Sequence, residues 1–122
     1  MVDSNILDNF VDDREFRNYV VNLMPCFGYE VKRIDDVRIS DGIETNDNDL
    51  ICFKDNKKYT LQTFLNKTIT ENEINEAIVD MKKEKIKDAI IVSNTPLDKD
   101  VKDLAINNNI IVIDRDDINK IL

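Results

Sequence analysis

Three features of the sequence predict an α/β domain with a mixed central sheet flanked by helices. Segments 49–54 (DLICFK) and 57–65 (KKYTLQTFL) read as two strands about a two-residue turn. Segments 88–94 (DAIIVSN) and 109–114 (NIIVID) are continuous apolar runs of strand length, as expected of strands covered on both faces. Around them lie stretches with apolar residues at helical spacing behind capping signals. The resulting order is α-β-β-β-α-β-α-β-α. A hairpin-first half followed by β-α-β-α calls for antiparallel and parallel pairs in one sheet, with helices on both faces.

In chain order, the first helix is expected to begin near Asp12, with Asp12 and Glu15 as N-cap and N3 partners. Phe16, Tyr19, Val20, Leu23 and Phe27 then form one buried stripe. Pro25 and Gly28 end the helix, Gly28 as a left-handed cap. A strand follows over 29–34, with Arg38 as its furthest reach, and 40–49 (SDGIETNDND) is a polar, turn-rich connector. Asp55-Asn56 is the hairpin turn. Thr70 and Glu73 form a capping box for a helix whose Ile74, Ala77, Ile78 and Met81 share one face. In 95–98 (TPLD), Thr95 is expected to cap a helix with Pro96 first and Asp98 third, burying Val101, Leu104 and Ala105. NIIVID reads as another buried strand and DDINKIL as a short closing helix. Residues 1–122 read as a single domain, with 1–11 peripheral.

Composition narrows the function. A chain of 122 residues has room for one modest core, and 42% hydrophobic with 34% charged residues is ordinary for a globular domain. No apolar run approaches the roughly 18–20 residues of a membrane span. The N-terminal MVDSNILDNF lacks a signal-peptide pattern. Cys26 and Cys52 read as reduced core thiols. The expectation is an intracellular, cytoplasmic protein without a membrane partner, the nucleoid or nucleus remaining open. The net charge of −8 is uneven: residues 1–50 hold 12 acidic and 5 basic side chains, and 51–122 hold 13 and 12. Backbone-driven DNA binding needs clustered cations, so this charge disfavours DNA. With no histidine, His-based triads and His-metal sites are excluded, and two glycines make no phosphate-cradling loop.

Taken together, EFRNYVVNLMPCFGYEV, NDNDLICFKDNKKYTLQ and the 87–122 stretch resemble the PD-(D/E)xK, or restriction-endonuclease-like, superfamily in its Mrr-type branch. The resemblance implies an αβββαβ core, here extended by a C-terminal α-β-α. It also implies an aspartate at the start of the second strand and Gln/Glu-x-Lys at the end of the third. Asp49 and Gln62, 13 positions apart, take the first two places, with Asp47 as the alternative in another register. By that resemblance they would hold Mg²⁺ for phosphodiester hydrolysis, and a lysine two residues beyond the glutamine would act on the attacking water. The bland reading of each is a solvated turn aspartate and a hydrogen-bonded strand glutamine.

Two departures follow. The lysine position holds Phe64, which cannot activate water or stabilise an anion, and Arg17 stands where a glutamate often follows the helix phenylalanine. Lys58 and Lys67 are the candidates for a relocated lysine, while Lys82 and Lys83 read as a solvated face. The expectation is a catalytically inactive Mrr-like module, nucleic-acid-associated or protein-binding, with Asp49 and Gln62 vestigial and no cofactor. The alternative is an active Mg²⁺-dependent DNA endonuclease. A protein partner or a homodimer fits the first reading, with Phe64, Ile51 and Phe53 as core or partner surface. An unrelated flavodoxin-like regulatory domain is the third possibility.

Overall fold

The apolar alternation resolves into one sheet. The computed structural model describes residues 4–33 and 50–121. Among them, β1 (Glu30–Arg33), β2 (Leu50–Lys54), β3 (Lys57–Phe64), β4 (Asp88–Ser93) and β5 (Ile110–Ile113) lie side by side in chain order. The β1–β2 and β2–β3 pairs are antiparallel; β3–β4 and β4–β5 are parallel. Helices α1 (Asp13–Leu23), α2 (Glu71–Glu84), α3 (Lys99–Asn107) and α4 (Arg115–Asn119) cover it. Strand side chains alternate between faces, and each face has its own core. Phe16, Val20 and Leu23 of α1 and Ile118 of α4 cluster with Cys52, Leu61, Ile90 and Val92 on one side. Ile74, Ala77 and Met81 of α2 and Ala105 of α3 cluster with Ala89, Ile91 and Ile110 on the other.

Local signals set most of the boundaries. The Asp12 carboxylate accepts from Glu15 N at 2.9 Å, while Glu15 itself reaches back to Val11 N at 3.0 Å instead of to its cap. Gly28 takes φ +90°, the left-handed backbone that calls for glycine. Asp55 and Asn56 both have positive φ (52° and 68°), the type I′ geometry that matches strand twist. The Thr70–Glu73 box opens α2 as expected.

Elsewhere the structure corrects the sequence reading. The third helix starts at Lys99 behind Asp98, not at Pro96 behind Thr95. The Thr95 hydroxyl donates to Lys67 O at 3.0 Å, and Leu97 N donates to Asp114 Oδ2 at 3.2 Å, so tertiary partners take the groups a cap would use. The 109–114 run is not covered on both sides: β5 lies at the sheet edge and Ile111 is exposed. Cys52 is buried, and burial pushes its thiol up to about 12, but Cys26 is exposed and no core residue. Within the segment read as peripheral, Leu7 is fully buried in the α1-side core and Phe10 packs against it. The expected extension of β1 toward Arg38 and the 40–49 connector lie outside the described residues.

Candidate functional site

Among the described residues the β2–β3 ladder includes Leu50↔Leu61, and the β3–β4 ladder reaches Phe64↔Ser93 at the end of β3. A cleft of about 600 Å³ opens there, with Leu50, Gln62 and Phe64 of the sheet in its wall. Asp13 and Arg17 of α1 close one flank, and Asn72, Asn75, Glu76 and Asp80 of α2 the other.

Gln62 lies in this wall, on the Phe64 side of the strand. Its buried Oε1 and, two residues back on the same strand face, the buried Thr60 Oγ1 have no hydrogen-bond partner among the described residues. Asp49 and the alternative Asp47 lie outside the described residues.

Phe64 is half-buried and packs against the α2–α3 core. Ile51 is buried and Phe53 half-buried, with the Lys32 ammonium 5.5 Å from the Phe53 ring centre. None of the described lining residues is a lysine. The chain does turn after the strand, through Asn66 at φ 54°. The turn brings Lys67 Nζ to 5.6 Å from the Phe64 ring centre and 3.3 Å from Glu73 Oε2. Glu73 also accepts from Thr70 N at 2.6 Å and Thr70 Oγ1 at 2.9 Å. Burial works to raise its carboxyl, but the Thr70 and Lys67 hydrogen bonds outweigh it and hold the group below the ordinary value. Lys58 is exposed opposite Phe53, away from the cleft, and Lys82 and Lys83 are exposed on α2 as the sequence suggests.

Arg17, expected as a departure from the family pattern, lies in the cleft wall. The α2 residues were missed as site residues, though 72, 75, 76 and 80 recur at helical spacing beside the apolar stripe. Asp13, Glu76 and Asp80 oppose a single guanidinium among the described lining residues, a poor setting for phosphate. Mg²⁺ asks for several hard oxygen ligands. Among the described residues no group of three or more Asp, Glu, His or Cys side chains could hold a metal ion.

Compared with known families, residues 9–122 match the Mrr catalytic domain, described as restriction endonuclease. The chain belongs to the Mrr restriction-endonuclease family. The curated proteins and solved structures compared with this Mrr domain gave no match. The three-strand antiparallel unit beside α1, together with the match, sets aside the flavodoxin-like possibility. Among the described residues, no helix of the Mrr domain is long and apolar enough to cross a membrane.

Proposed function

We propose that this Mrr domain is a non-catalytic binding module that keeps the nuclease fold without phosphodiester chemistry. The observation that carries it is the ring of Phe64, packed against the α2–α3 core, at the position that the family resemblance assigns to the catalytic lysine. Lys67, the candidate for a relocated lysine that lies by the Phe64 ring, is paired with Glu73. Losing one proton-transfer group or electrostatic donor costs on the order of 10²–10⁴ in rate. Incubation with duplex and single-stranded DNA and RNA in Mg²⁺ or Mn²⁺ is expected to give no cleavage. Cleavage that disappears in Asp49→Ala would overturn the proposal.

One observation favours the second reading, an Mg²⁺-dependent DNA endonuclease: the Asn66 turn sets the Lys67 ammonium over Phe64. Under it, Asp49 and Gln62 would hold the ion, and cleavage would be lost in Lys67→Ala while the fold persists.

A further inference from the structure

The pole of the sheet remote from the cleft carries the opposite charge. Segments 54–58 and 82–88 hold seven lysines against Asp55, Glu84 and Asp88, and Glu84 is buried. The fold brings these segments together. Tyr59 pairs with Asp88 at the start of the parallel β3–β4 ladder, so Lys58 approaches that ladder beside Lys87 on the α2 side, and Lys57, one residue back, stands at the same end on the α1 side. Neighbouring strands lie about 4.8 Å apart. Lys82 stands in the last turn of α2, and Lys85 is its left-handed C-cap at φ 59°. Lys57, Lys58, Lys82, Lys85 and Lys87 are all exposed. Among the described residues none of the five has a carboxylate within ion-pair distance.

Lysines at a helix C-terminus complement its dipole, which accounts for Lys82 and Lys85. It does not account for Lys57, Lys58 and Lys87, which belong to strand ends. The surface also lacks what a protein interface needs at its centre. Among the described residues the exposed large apolar side chains are Ile6, Val11, Val79, Ile106, Ile111 and Ile121, and none falls in either lysine segment. Protein interfaces draw their affinity from buried aromatic and apolar anchors or arginine, whereas the exposed side chains of these segments are chiefly lysine. A phosphate backbone asks only for cations at suitable spacing. We infer that this lysine pole is a sequence-independent binding surface for a nucleic-acid phosphate backbone, separate from the cleft. It goes beyond the loss of catalysis and stands whether or not the cleft is active.

The test is fluorescence anisotropy with short labelled duplex DNA, single-stranded DNA and duplex RNA over a range of salt. Five phosphate contacts predict a log K against log salt slope of about −4 to −5 on duplex DNA. The double variants Lys57→Glu/Lys58→Glu and Lys85→Glu/Lys87→Glu are each expected to weaken binding more than tenfold at low salt. They should also flatten that slope, with circular dichroism unchanged. Gln62→Ala and Asp49→Ala are expected to bind as the parent does. The DNA and RNA arms identify which backbone is preferred. Absence of salt-dependent binding, binding insensitive to charge reversal, or loss of binding in the cleft variants instead would overturn the inference. So would equal competition by poly-glutamate, which would assign the surface to an acidic protein.

Discussion

Asp114 is fully buried, and its carboxylate joins three parts of the C-terminal half. It accepts from Leu97 N at 3.2 Å and Asp117 N at 3.1 Å, and pairs with Lys102 Nζ at 2.9 Å. Burial works to raise its pKa, but the Lys102 hydrogen bond and the backbone N–H groups of Asp117 and Leu97 outweigh it, so the group sits below the ordinary value. A carboxyl whose folded pKa is lowered stabilises the fold above its unfolded value, near 4. That stability is lost as pH falls through the lower folded value. Asp114→Asn is therefore expected to cost about 1–3 kcal/mol at neutral pH, from one ionic partner and a weakened cap. It should also flatten the acid limb of stability below about pH 4. Urea unfolding across pH checks both. The capping role was legible in principle, because Asp114 and Asp117 are three apart. Its grip on Leu97, 17 residues away, was not, and that grip is why the helix expected at Pro96 starts at Lys99.

At the scale of elements, the same contrast separates caps from the cleft. Thr70 and Glu73 were readable because a capping box is closed within four residues. Gln62 and Phe64 were readable as one strand face because side chains alternate with period two. That Arg17 of α1 and Asn72, Asn75 and Glu76 of α2 would meet beside them depends on two helices on opposite faces flanking the end of one strand. No local spacing encodes that meeting. The first turn of α2 is accordingly where cap and cleft are coupled. Thr70→Ala removes the donor that Glu73 accepts from Thr70 Oγ1 and the acceptor of Asn72 N. The expected cost is about 1 kcal/mol. Native-state hydrogen exchange should show faster opening of residues 71–76, with little change in β4. Uniform acceleration across the domain would mean that the cap holds the whole fold and not this wall of the cleft.

For the molecule as a whole, a formal charge of −8 conceals two poles, and the family match conceals a segment that the core uses. The match begins at residue 9, yet Leu7 is fully buried among Phe16, Val20 and their neighbours. Two further ties hold the segment. Asn94 Nδ2 donates to Leu7 O at 2.8 Å, and Arg115 grips both Asp8 carboxylate oxygens at 2.6 and 3.0 Å. Asn94 is itself buried, so removing the Leu7 carbonyl strips one of its amide's acceptors. The sequence hid this because NILDNF offers one short 3-10 turn, too brief for any periodicity, and its partners lie some 90 to 110 positions on. A chain trimmed to 9–122 is therefore expected to lose the burial of one leucine and a buried hydrogen bond. Truncating a buried leucine costs about 2–5 kcal/mol, and Leu7→Ala alone should account for most of the loss. The signature is a lower urea midpoint at unchanged slope, because the surface exposed on unfolding barely changes. If the trimmed chain and Leu7→Ala both kept the parent midpoint, the N-terminal turn would contribute nothing to stability despite its burial, and the α1-side core would close over the gap without it.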